Sequence, residues 1–159
     1  MRNWVKQIVV VILLGAANAA NAGVTAKEIS GKWVKAGANS VECLCGECID
    51  IQPEGKPQPF CVESNQVYIT VFYQLNAKLN QVDVVFGDVI EVGVGGASLP
   101  WNRFDKHKPL AVVDVSDVKH GKIKVKWYGF RLKNNKSYAW VGDSYSGTYT
   151  RTTERDPHR

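Results

Sequence analysis

Methionine occurs once and histidine three times in the 159 residues of this chain, and several chemical signatures are missing altogether. There is no G-x-S-x-G nucleophile elbow, which removes the best-marked route to a serine hydrolase. The glycine run Gly93-Val94-Gly95-Gly96 lacks the G-K-S/T ending of a phosphate loop and is expected to supply positive φ or a tight bend. Asp114-Val115-Ser116-Asp117 lacks the spacing and glycine of an EF-hand loop, so it reads as a polar strand end. Of the histidines, His158 lies in the polar C-terminal stretch and His120 adjoins Gly121 in a hairpin turn. His107, near Asp105, is left without a nucleophile beside it. No catalytic set, metal site or cofactor is therefore expected, and the chain reads as a non-enzyme.

What is present begins with a leader. Arg2 and Lys6 precede an apolar run from Ile8 to Ala17, and Ala20-Asn21-Ala22 supplies a small-x-small cleavage pattern. That run is too short for a membrane-spanning helix, so no span is expected in the mature form. Gly23 rather than cysteine follows, which offers no acceptor for a lipid anchor. Residues 1–22 thus read as a signal peptide and the protein as periplasmic or secreted. Removing 22 of the 159 residues, Arg2 and Lys6 among them, leaves 137 and lowers the formal charge from +5 to +3. A charge of that size does not indicate a nucleic-acid partner.

Cys43, Cys45, Cys48 and Cys61 all lie in the mature part, and an even number of exported thiols normally pairs. Two disulfides are expected. Cys45 with Cys48 across Gly46-Glu47, leaving Cys43 for Cys61, is preferred over Cys43 with Cys48 and Cys45 with Cys61. A zinc site would lack a second C-x-x-C, and a redox couple would lack its βαβ context.

The patterning is that of an all-β protein. Thr25-Ala26-Lys27-Glu28 predicts a capped helical turn. Strands are predicted at Lys32 to Lys35, Ser40 to Leu44 and Cys48 to Gln52, before the turn-rich Pro53 to Pro57. Val67 to Tyr73 is β-branched or aromatic at nearly every position, which predicts a strand buried on both faces. Asn76 to Gln81 is a polar link, followed by strand patterns at Val82 to Phe86 and Val89 to Val92. Gly93 to Lys108 reads as the longest irregular segment, and loops of such length are often functional. A meander follows, with runs at Leu110 to Val118, Lys122 to Leu132, Ser137 to Val141 and Gly147 to Thr152, and turns at His120-Gly121 and Asn134-Asn135. These signals predict a small antiparallel β-barrel or sandwich of about eight to ten strands over 23–152, with a flexible tail over 153–159.

The fragment Gly31-Lys32-Trp33, just after a helical turn and opening the first strand, resembles the G-x-W start of the calycin barrels, which include lipocalins, avidins and secreted inhibitors. The resemblance implies that Trp33 plugs a closed barrel end and that Arg151, in the last strand, lies over its indole. Val34-Lys35 replace the polar residues that follow the avidin tryptophan, so biotin binding is not implied.

Two features could face a partner. Lys122, Lys124 and Lys126 alternate with Ile123, Val125 and Trp127, which places three ammonium groups on one strand face. Arg131 and Lys133 extend that stretch, and a solvated face guarding a sheet edge is the plainer account. The long loop carries Trp101, Arg103 and Phe104, residue types that anchor protein interfaces. The expectation is a non-catalytic exported protein that docks on a protein partner in the envelope or outside the cell, as an inhibitor or immunity protein does. A calycin-type barrel holding a small apolar ligand is the alternative, and a small enzyme centred on His107 the third. Oligomeric state is not readable.

Overall fold

The sheet begins where the capping signal ends. In the computed structural model, which describes residues 23–38, 44–63, 67–133, 138–140 and 145–152, Thr25 caps a single turn of helix α1 (Ala26–Ile29). Glu28 closes the capping box from the other side by accepting from the Thr25 N–H at 2.8 Å. The leader over 1–22, Cys43, the strand expected over Ser40 to Leu44 apart from Leu44 itself, the Asn134-Asn135 turn and the tail over 153–159 lie outside the described residues.

Ten strands follow in chain order: β1 (Gly31–Lys35), β2 (Cys48–Ile51), β3 (Gln58–Glu63), β4 (Val67–Asn76), β5 (Gln81–Val92), β6 (Pro109–Asp114), β7 (Lys122–Trp127), β8 (Phe130–Arg131), β9 (Tyr138–Trp140) and β10 (Gly147–Arg151). Eight of them form one antiparallel sheet in the order β2-β1-β10-β7-β6-β5-β4-β3, and β8 pairs with β9 separately. The first and last strands of the described chain pair with each other inside the larger sheet, one strand in from the β2 edge, and the sheet curls into a nearly closed barrel. Its interior is filled: Trp33, Ile51, Ile69, Val71, Val82, Val113, Ile123 and Tyr149 all lie within 1 % of complete burial.

The α1 end of the barrel is closed by Trp33. Its indole N–H donates to the Ile29 carbonyl at 2.9 Å, and the Arg151 guanidinium lies 4.3 Å from the ring centroid. Arg151 sits across from Trp33 in the β1–β10 ladder and donates to the Ser30 and Glu28 carbonyls, tying the last strand to the capped turn. Gly31 has φ +116°, which a side chain would strain, so the glycine of G-x-W sets the bend that brings Trp33 under α1.

Several boundaries differ from the sequence reading. β4 is buried on one face only: Val67, Ile69, Val71 and Tyr73 point inward, whereas Tyr68, Thr70 and Phe72 are half-buried outside. Good β-formers at outward positions had imitated a two-faced strand. The two runs after Gln81 form one 12-residue strand that pairs with both β4 and β6. The run predicted from Leu110 to Val118 stops at Asp114, whose carboxylate accepts the Ser116 N–H at 2.9 Å and turns the chain. The run from Lys122 to Leu132 breaks after Trp127, where Tyr128 and Gly129 both donate to the Leu110 carbonyl. β3 had no counterpart in the sequence reading. Pro59 hides it, since proline inside a strand is tolerated mainly at an edge, and β3 is one.

Candidate functional site

The lysine alternation survives folding. Ile123, Val125 and Trp127 are buried, and Lys122, Lys124 and Lys126 are exposed. β7, however, lies between β6 and β10. Its backbone groups are engaged on both sides, so protection of a sheet edge does not account for the three lysines. Their cross-strand neighbours are Thr148, Thr150, Val112 and Asp114. Asp114 alone among these carries charge, and its carboxyl is held below the usual range mainly by hydrogen bonds from Ser116, with a smaller contribution from Lys124. The Lys126 ammonium also lies over an aromatic face, 5.3 Å from the Tyr128 ring centroid.

The long loop is more ordered than its composition implies. It contains a helical turn α2 (Val94–Ala97) and a 3-10 turn (Trp101–Arg103), and Phe104 bridges to Leu132. Trp101 is half-buried, donates its indole N–H to the Gly96 carbonyl at 2.9 Å, and packs with Phe86, Phe104 and Phe130. Phe104 is 1 % exposed, so its side chain belongs to the core rather than to a docking surface. The physical reason is the barrel end opposite α1, which needs an aromatic plug. Arg103 remains exposed and Arg131 half-buried. Gly96 approaches the sheet so closely that a Cβ there would meet Val67 at 2.8 Å, and close approach rather than positive φ is its function.

The cysteines correct the preferred pairing. Cys45 is bonded to Cys61 with their Cα atoms 5.4 Å apart, and Cys48 is also disulfide-bonded. Cys45-Gly46-Glu47 does form the expected turn, but the fold carries Cys45 to the edge strand β3 rather than back to Cys48. Cys45 with Cys61 is the bond of the second pairing, and Cys43 lies outside the described residues.

That disulfide reveals a feature the sequence reading missed. β2 and β3 follow one another in the chain and stand at the two free edges of the sheet, yet they do not pair. Residues 52–57 link them at one end, and Cys45–Cys61 bridges them at the other. The result is a window in the barrel wall, framed by two strands, a loop and a disulfide. A recess of about 370 Å³ lies in it, lined from the inner face by Ile49 and Phe60 and from the outer face by Pro59 and Tyr68, with Lys32 and Asp50 at its margin. Lys32 and Asp50 face each other across the β1–β2 ladder, so their charges oppose at the mouth.

Tyr73 lines this cavity and is 2 % exposed. β3 begins opposite Val71, so this part of β4 has no strand covering it on the window side. The Tyr73 hydroxyl makes no hydrogen bond among the described residues. Burial, and then the proximity of Asp50 and Tyr145, push its pKa far above that of a free phenol. Tyr145, by contrast, donates to the Cys61 carbonyl, and Tyr149 donates to the carbonyls of Gly46 at 3.0 Å and Tyr145 at 2.8 Å. Two tyrosines thus brace the frame, and the third faces the opening.

Neither described histidine joins a catalytic set. His107 is exposed, with its backbone N–H on the Asp105 carboxylate, and His120 pairs with Asp117 at 2.5 Å in an exposed turn. Among the described residues no three potential metal ligands come together, and no helix is long and apolar enough to cross a membrane. Among the described residues the arrangement is that of a small disulfide-stapled antiparallel β-barrel with a cationic strand face and a lateral opening. No protein-family model, curated protein or solved structure matches the chain.

Proposed function

We propose that this protein is exported and non-catalytic, and that it docks on an acidic protein surface through the outer face of β7, in the manner of an inhibitor or immunity protein. One observation carries the reading: three exposed lysines project from a strand whose two edges are already paired. Aligned ammonium groups on a rigid strand steer an acidic partner during approach, at a rate sensitive to salt. Arg103 and Arg131 are the further cations that would widen the contact. The disulfide is compatible with a periplasmic or secreted location. A calycin-like relationship belongs to the same proposal and is supported by the Trp33–Arg151 stack. An apolar ligand held along the barrel axis has less support, because side chains occupy that axis.

The test compares wild-type protein with a variant carrying Lys122→Glu, Lys124→Glu and Lys126→Glu. A partner captured from the cell envelope should associate with the variant about tenfold or more slowly at low ionic strength, with the difference shrinking as salt is added. Equal association rates for two stably folded proteins would remove β7 from the interface.

A further inference from the structure

We propose that the window between β2 and β3 binds a small, neutral, mostly apolar molecule whose single hydrogen-bond acceptor is taken by the Tyr73 hydroxyl. This site is independent of the docking face, since β7 lies three strands from β2 and four from β3 in the sheet. Nor is it the mouth of the barrel, which the aromatic cluster of Trp101, Phe104 and Phe130 fills.

Size, chemistry and framing each narrow the occupant. A cavity of about 370 Å³ falls at the small end of the range for ligand pockets, roughly 300 to 1,000 Å³. An inserted peptide strand needs its two neighbours about 10 Å apart, twice the spacing of paired strands. The disulfide holds the frame to 5.4 Å between Cα atoms at one end, which leaves no room for one. The cysteines are bonded and Asp50 is the one carboxylate in the lining, so a cation finds no ligand set. Lys32 and Asp50 cancel at the margin, and an ionised ligand would lose water against Phe60, Pro59 and Ile49 without a dedicated counter-charge. A hydroxyl that faces this recess with no partner among the described residues is matched by a carbonyl or ether oxygen on an apolar body. Because the phenol stays protonated, it acts as the donor.

Acetophenone is the probe for this chemistry, with ethylbenzene lacking the acceptor and benzoate adding charge. Titration of the full protein, followed by backbone and aromatic NMR shifts, should give saturable binding of acetophenone with shifts centred on Ile49, Asp50, Cys61 and the Tyr73 ring. Ethylbenzene and benzoate should bind more weakly. Tyr73→Phe keeps the ring and should weaken acetophenone about two- to tenfold, the loss expected for one hydrogen bond, while leaving ethylbenzene unchanged. Asp50→Trp, at an exposed position on the frame, should close the window and abolish binding with the core untouched. Shifts that do not saturate, or that fall outside the frame, would overturn the site. Benzoate binding as tightly as acetophenone, or acetophenone binding equally to wild type and Tyr73→Phe, would overturn the proposed chemistry. Binding that survives Asp50→Trp would overturn the location.

Discussion

The α1 end and the β2–β3 seam solve the same problem, how to finish a sheet, by different means. At the α1 end the first and last strands pair through a continuous ladder, and a buried indole, a guanidinium and a capped turn lock it from inside. At the seam the strands stay apart, and one covalent bond with two tyrosine hydroxyls spans the gap. The contrast teaches that backbone pairing closes a barrel densely and leaves no space, whereas a side-chain staple closes it and keeps an opening. Packing carries the first region; the second depends on a bond that a reductant can remove.

The largest effect should come from the packed end. Trp33→Ala is expected to cost on the order of 3 to 5 kcal/mol, the range for emptying a large aromatic core site, measured from urea unfolding. An unchanged midpoint would mean that the end is not held by its indole. The seam should follow closely. Replacing Cys45 and Cys61 together by Ser should cost about 3 kcal/mol, as estimated from chain entropy for a bridge of this sequence separation. If the two regions differ as described, amide exchange should speed up in β2 and β3 and remain slow around Trp33 and Arg151. Uniform acceleration across both regions would break the comparison.

Alkali should separate the regions more gently. The Tyr73 pKa is raised in the folded state, so the stability tied to its neutral phenol is complete below the unfolded value near 10 and declines as pH rises above it. The decline is of order 1 kcal/mol per pH unit, and Tyr73→Phe should remove that share of the alkaline slope. The capped turn offers a smaller test, with Thr25→Ala expected to cost about 1 kcal/mol. The carboxyl of Glu28 is held below its ordinary range chiefly by the Thr25 backbone, so its contribution is present at neutral pH and lost as pH falls below about 4. The triple β7 lysine substitution should shift stability by no more than about 0.5 kcal/mol while altering association, because these side chains are exposed.

Period and punctuation made much of the barrel legible. The alternation at Lys122 to Trp127, the Thr25–Glu28 box and the Gly121 turn are local devices, and each appears where its spacing places it. β3 escaped because Pro59 reads as a breaker until its strand is known to lie at an edge. Trp101 and Phe104 read as loop anchors because their segment has little periodicity, yet the open barrel end draws both rings inward. Tyr73 carried no signal of its own, since an inward tyrosine in a strand looks the same whether its hydroxyl meets a partner or a cavity.

By itself, the sequence determined the all-β class, the presence of pairing cysteines, the inward face of β7 and the meeting of a capped turn with an indole, because residues within a few positions of one another control each of these. Tertiary structure alone decided which sulfur Cys45 reaches, which strands are edges and where the wall stays open. Those outcomes depend on how the sheet curls and which distant segments arrive within a few ångströms, a matter of three-dimensional closure that no local spacing encodes.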